Sequence, residues 1–256
     1  MISSYSEGHI CVIEFFRPKA NAYNFEFMQL FSSTIAELEK CADIRVICIK
    51  SGIAGFFCVG ADINDFASND TDQNRRLVRL ANQVAVTMQS SSKLYVSAVN
   101  GHALGGGLEI MLATDIRLGA DSTYKLGVSE VSLGLMPGNG GTQRFARIVG
   151  LSQALEYCVS GAIFTPQKAY SMGLLNQLLP SNTFDSAVLE YCERIARGAP
   201  QAIASIKQAL YQGISMGLND ALKLECSLAD SLYDTADADE GLNAFLEKRE
   251  AVFNGR

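Results

Sequence analysis

The stretch Asn100-Gly101-His102-Ala103-Leu104-Gly105-Gly106-Gly107-Leu108-Glu109 stands between two apolar runs, Leu94–Val99 (LYVSAV) and Ile110-Met111-Leu112-Ala113. A short β-branched run, a glycine turn and then a helical run make up a crossover unit, and repeated units build a parallel sheet. Outward from this stretch the same alternation recurs. His9–Phe16 (HICVIEFF), Ile44–Ile49 (IRVICI), Leu94–Val99 and Ile116–Ala120 are predicted as strands. Phe27, Phe31, Ile35 and Leu38 recur at helical spacing behind Asn24, a suitable N-cap. A second helix is predicted over 73–90, with Leu77, Ala81, Val84 and Met88 on one face. After Thr165-Pro166 the pattern is almost entirely helical, punctuated by Gly198-Ala199-Pro200. Phe184, Val188, Tyr191 and Ile195 share a face, as do Ile203, Ile206 and Leu210, then Leu218, Leu222 and Leu228, then Leu242, Phe245 and Leu246. Asp234–Glu240 (DTADADE) is expected to be a polar turn that caps the last helix. The expectation is an α/β core over 1–195 and a helical region over 196–256.

Composition narrows the function. At 256 residues and 27.6 kDa, with 48% apolar and 19% charged residues, the chain holds one substantial core and is neither disordered nor fibrous. The net charge of −6 disfavours nonspecific nucleic-acid binding. Arg75, Arg76 and Arg79 then read as a solvated helix face, with an RNA-binding module as the competing class. The two histidines exclude a three-His zinc site, and the seven cysteines form no CxxC pair. Reduced thiols packed as small hydrophobes, and no bound metal, are expected. The N-terminus lacks a basic segment followed by an apolar run, and no run approaches the ~18 apolar residues of a membrane span. A cytoplasmic protein without membrane attachment is the expectation.

A second glycine segment, Gly134-Leu135-Met136-Pro137-Gly138-Asn139-Gly140-Gly141-Thr142-Gln143, follows the first. Neither carries the Gly-Lys-Ser/Thr of a P-loop, and neither fits a dinucleotide fingerprint. Consecutive glycines at a helix start expose N–H groups that can hold an oxygen turning negative during a reaction. The same glycines also suit close backbone packing. Glu109 sits three residues after Gly106, among Leu108, Ile110, Met111 and Leu112. One helical turn would bring it beneath those N–H groups, and its apolar setting calls for a raised pKa or a dedicated partner. Glu130 stands in another nearly uncharged segment, Lys125–Gly134. Two such carboxylates beside glycine turns suit shared acid–base work. Gly60-Ala61 in Phe57–Ile63 offers a bend and a second outward N–H.

Five segments, in order, resemble the crotonase (enoyl-CoA hydratase/isomerase) superfamily. They are Arg17–Ala22 (RPKANA), Phe57–Ile63 (FCVGADI), Asn100–Glu109 (NGHALGGGLE), Glu130–Arg144 (EVSLGLMPGNGGTQR) and Asp239–Arg249, whose EGLNAFLEKR is similar to the family's C-terminal pattern. The resemblance implies an α/β, crotonase-like spiral of ββα units with a C-terminal helical trimerisation region, as a homotrimer or a dimer of trimers. It implies hydration of a trans-2-enoyl-CoA to a 3-hydroxyacyl-CoA, with no cofactor beyond the coenzyme A of the substrate. The Ala61 and Gly106 N–H groups would hold the thioester oxygen. Glu109 would hold and activate water, and Glu130 would hold the same water and exchange the α-carbon proton. Substrate contacts map onto Lys19, Ala22, Val59, Gly60, Asp62, Ile63, Gly105, Pro137 and Gly138, with Phe245 and Lys248 arriving from an adjoining helical tail or subunit. Asn64 stands where many hydratases carry Lys, Ser129 where Pro is common, and Tyr23 where Leu is common. Alternative activities within the family are Δ3,Δ2-enoyl-CoA isomerisation and dehydration or decarboxylation of carrier-protein-bound polyketide intermediates.

Overall fold

A computed structural model describes residues 1–255; Arg256, the last residue of the C-terminal region, lies outside the described residues. The main sheet takes β1 (Ile2–Glu7), β2 (Ile10–Phe15), β3 (Val46–Ser51), β5 (Leu94–Val99), β7 (Ile116–Asp121) and β9 (Gln177–Pro180), in that spatial order. A small sheet takes β4 (Phe56–Cys58), β6 (His102–Leu104) and β8 (Leu126–Gly127). Among the described residues, the β1–β2 pair is antiparallel and the other strand pairs are parallel, with one isolated antiparallel bridge between Leu126 and Phe164. The chain therefore cycles from main sheet to small sheet to helix. β3 and β4 lead to α2 (Ile63–Ser68) and α3 (Thr71–Ser90), and β5 and β6 lead to α4 (Gly106–Ala113). β2 leads through Tyr23, which bridges Ala61, to α1 (Phe25–Glu39).

The apolar runs decide these elements. Ile10–Ile13, Val46–Ile49 and Tyr95–Val99 are buried along their whole length, as central parallel strands are when both faces are covered. Phe15 meets Phe27 and Phe31 of α1 edge-on, at centroid distances of 5.1 and 5.0 Å. Asn24 caps α1 by accepting from the Phe27 N–H, as its position suggested. The second helix begins at Thr71, earlier than 73, because Asp70 and Gln73 form a reciprocal capping box.

β7 and β8 are followed by α5 (Gly141–Val149), α6 (Leu151–Ser160) and α7 (Pro166–Ser171). After β9 come α8 (Phe184–Ala196), α9 (Pro200–Gly213), α10 (Leu218–Asp230) and α11 (Ala236–Glu247). Two expectations need correction, and one strand was not anticipated. The region after Pro166 is not all helical, since Gln177–Pro180 pairs with β7. The polar β1 escaped notice because it lies on the sheet edge with most of its side chains exposed. The acidic segment Asp234–Glu240 supplies the expected N-cap of the last helix through the Thr235 hydroxyl, but from Ala236 on it lies inside α11 and is not a turn. The helical region is seated on the core by Lys207 of α9. Its buried ammonium donates to the Met88 and Lys93 carbonyls and to Asp115 at 2.8–2.9 Å.

Candidate active site

The site forms where three chain segments meet at the small sheet. The first is the segment after β2. Asn21 adopts a left-handed φ of 53°, which Asn tolerates better than most residues. Its buried side chain accepts from the Arg17 N–H and donates to Ser51 Oγ and the Phe57 carbonyl. This fixes Ala22 and Tyr23. The Tyr23 N–H donates to the Gly60 carbonyl and the Tyr23 carbonyl accepts from Asp62 N–H, each at 2.8 Å.

The second segment is the Gly60-Ala61 turn. Both main-chain bonds of the bridge are made by Gly60 and Asp62, so the Ala61 N–H is left without a backbone acceptor among the described residues. Gly60 has φ +88°, and a Cβ there would sit 3.0 Å from the Gly106 nitrogen. Asp62 turns away from this edge. It accepts from Arg17 at 2.8 Å and from the Asn64 N–H as cap of α2. The Arg17 guanidinium and these N–H groups hold its carboxyl below the ordinary range. Its visible role is to hold the loop.

The third segment is the glycine turn Gly105–Gly107. The Gly106 N–H, at the first position of α4, also lacks a backbone acceptor among the described residues. The three glycines have different reasons. Gly105 has φ +50°, and a Cβ on it would lie 3.0 Å from Glu130 Oε1. A Cβ on Gly106 would strike the Tyr23 hydroxyl at 1.9 Å, and one on Gly107 the Cys58 carbonyl at 1.9 Å. Close packing and exposed N–H groups thus coexist in one turn.

Glu109 is only 1% exposed. Its Oε1 accepts from the N–H groups of Asn139 at 2.8 Å and Gly141 at 2.7 Å. Its partners are therefore the N–H groups just before and at the start of α5, in the second glycine segment. Burial pushes its pKa from 4.5 to about 7, with the charge of Glu130 adding to the rise and the two N–H groups and Arg144 opposing it. Glu130 opens a short 3-10 turn, Glu130–Leu133, and is half-buried. Burial raises its pKa as well, and its Oε2 is enclosed with no protein partner among the described residues. Two carboxyl groups close enough to feel each other's charge thus lie against the turn that carries the Gly106 N–H. This arrangement can hold an oxygen between two N–H groups and move protons beside it.

The family model described as enoyl-CoA hydratase/isomerase matches residues 6–256. The chain belongs to the enoyl-CoA hydratase/isomerase family. It is 37% identical to the 2,3-dehydroadipyl-CoA hydratase of Escherichia coli over 94% of this chain and 93% of that one. It is 32% identical to the short-chain-enoyl-CoA hydratase of Clostridium acetobutylicum over 95% and 93%. The structure superposes on an enoyl-CoA hydratase of Bacillus anthracis with a TM-score of 0.96, at 31% identity, over 100% of this chain and 99% of that one. The α/β crotonase-like spiral is thereby the fold of this chain.

The remaining expected site residues of this family member divide into two groups. Ala22 and Val59 are half-buried, Pro137 is buried, and Gly138 lies where a Cβ would meet Val78 of α3 at 3.0 Å. Lys19 and Ile63 are exposed near the same segments. Phe245 and Lys248 are different. Phe245 is 82% exposed and Lys248 is exposed too, so neither is packed on the glutamate pair within one chain. Sequence reasoning passed over Asn139, Gly141 and Arg144. Arg144 donates to the Asn139 carbonyl at 2.8 Å and to Gln89 of α3 at 3.2 Å, which braces the loop that holds Glu109. The available signal was their place in the quoted PGNGGTQR run.

Proposed function

We propose that this family member hydrates a trans-2-enoyl-CoA reversibly to the 3-hydroxyacyl-CoA. The observation that carries the reading is the pair Glu109 and Glu130, both with raised pKa, beside the Ala61 and Gly106 N–H groups. The thioester oxygen would lie between those two donors. Water held by both carboxylates adds its oxygen to C3 while Glu130 takes one of its protons. Negative charge moves to the thioester oxygen as an enolate, stabilised by the two N–H groups, each worth ~10²–10³ in rate. Glu130 then returns the proton to C2, so the enzyme ends in its starting state. Glu109 orients the water throughout.

The same reading places acyl-CoA binding and catalysis in residues 1–195 and oligomerisation in 196–256, as a homotrimer or dimer of trimers. The enzyme would work in the cytoplasm with no cofactor beyond the coenzyme A of its substrate. Lys19, and Lys248 from a neighbouring subunit, would meet the phosphates. No helix in the described residues is long and apolar enough to cross a membrane.

Wild-type enzyme is expected to remove the enoyl-thioester absorbance of crotonyl-CoA. Glu130→Gln and Glu109→Gln should each lower kcat by about 10³-fold, within the usual range for a lost acid–base group. Wild-type turnover in both variants would sink the mechanism. A 3-enoyl-CoA separates the isomerase reading, because isomerisation yields the 2-enoyl product without consuming water.

A further inference from the structure

Tyr23 joins all three segments of the site. Its main chain pairs with the turn carrying Ala61. Its hydroxyl packs under Gly106, at the place a Cβ would occupy. The same hydroxyl accepts from Asn139 Nδ2 at 2.8 Å. Asn139 in turn gives its main-chain N–H to Glu109 and its carbonyl to Arg144. The Asn139 amide is buried, and its Oδ1 has no partner among the described residues, so Tyr23 is the tether observed for that side chain. Burial and the nearby Glu109 push the phenol well above its ordinary range, so it remains a neutral hydroxyl.

We propose that Tyr23, acting through Asn139, is a positioning residue that sets the orientation of Glu109 relative to the Gly106 N–H. A leucine or phenylalanine at position 23 fills space but leaves the Asn139 amide free to turn. The loop that presents two N–H groups to Glu109 would then lose its tether at the Asn139 side chain, keeping the Arg144 bond to the Asn139 carbonyl. The titratable groups that feel Glu109 or act on it include Glu130, Arg144, Tyr23 and Cys158 of α6. Of these, Tyr23 is the one whose hydroxyl is removable without adding or deleting a formal charge. Small displacements of a group that orients a reactant are costly in rate, so the effect belongs on kcat. This inference rests on the hydratase reading for its kinetic part only.

The test compares wild type, Tyr23→Phe, Asn139→Ala and the double variant as full-length enzyme. Crotonyl-CoA kinetics supply one readout. Difference infrared titration of the Glu109 carboxyl, identified by its loss in Glu109→Gln, supplies a readout independent of turnover. Tyr23→Phe should lower kcat about tenfold while KM changes by less than about twofold. The Glu109 titration should move upward, because a loosened Asn139 N–H no longer favours the carboxylate as strongly. Asn139→Ala should reproduce both effects, and the double variant should lose no more than the larger single loss. An unchanged kcat and titration in Tyr23→Phe overturns the proposal, as does multiplication of the two single losses. If wild type fails to hydrate any enoyl-CoA, the functional reading fails, while the infrared titration still decides whether Tyr23 controls Glu109.

Discussion

Glu109 carries a thermodynamic cost that can be measured without substrate. In the unfolded chain its carboxyl titrates near the ordinary 4.5, and in the folded chain near 7. The folded state therefore holds this proton more tightly. Below the unfolded value both states are protonated and Glu109 imposes no penalty. As pH rises from 4.5 through about 7 the unfolded chain ionises first, and the native state loses stability relative to it. The gap corresponds to about 3 kcal/mol at full ionisation. Glu109→Gln removes the ionisation and retains an oxygen for the Asn139 and Gly141 donors. Urea unfolding should find this variant more stable by about 3 kcal/mol at about pH 8, and close to wild type at about pH 4. A wild-type pH profile in the variant would place the destabilising ionisation elsewhere. Under the proposed hydration, Glu109 orients water as a carboxylate, so the form that serves activity is the one that costs stability.

At the scale of elements, α9 depends on one buried charge. The Lys207 ammonium gives its three protons to the Met88 and Lys93 carbonyls and to Asp115. Lys207→Met leaves the Asp115 carboxylate buried without its cation and should cost about 3–5 kcal/mol. Lys207→Met with Asp115→Asn should recover part of that loss in denaturant unfolding, since no unpaired charge then remains. Equal losses in the single and double variants would refute the pairing argument. None of this was legible in the sequence, where Lys207 is one basic residue on an amphipathic helix. The elements that were legible announce themselves through continuous apolar runs, as in β2, β3, β5 and β7. β4, β6 and β8 have three residues or fewer and leave no periodicity to read. The site divides in the same way. Glu109 and Glu130 were conspicuous as charges in apolar runs. Tyr23 and Asn139 are polar loop residues 116 positions apart, and only the fold shows that they touch.

For the whole molecule, the outstanding feature is apolar surface on the helical region. Leu210 is 70% and Leu218 74% exposed, and Leu242, Phe245 and Leu246 are similarly open. Their helical spacing put them on shared faces, and within one chain these residues face solvent. Exposed large apolar side chains of this kind suit an association surface, as the proposed trimer requires. Burying each such side chain is worth about 1.5–3 kcal/mol, so the five together favour assembly by on the order of 10 kcal/mol per chain before the costs of association. The net charge of −6 opposes assembly only weakly at physiological salt. The trimer proposed above also has a consequence for the site. The proposed substrate, an acyl-CoA, would be a polyanion, and the protein is acidic overall, so attraction would have to come from local cations, with Lys248 supplied by a neighbour in the proposed trimer. Leu210→Asp with Leu218→Asp should therefore do two things. Sedimentation should show the 27.6 kDa chain in place of three times that mass. The KM for an enoyl-CoA should rise by about tenfold or more in the dissociated enzyme, with a smaller change in kcat, because Glu109, Glu130 and both N–H donors belong to a single chain. Dissociation with an unchanged KM would remove Phe245 and Lys248 from the site, and an unchanged mass would move the subunit contact to another face.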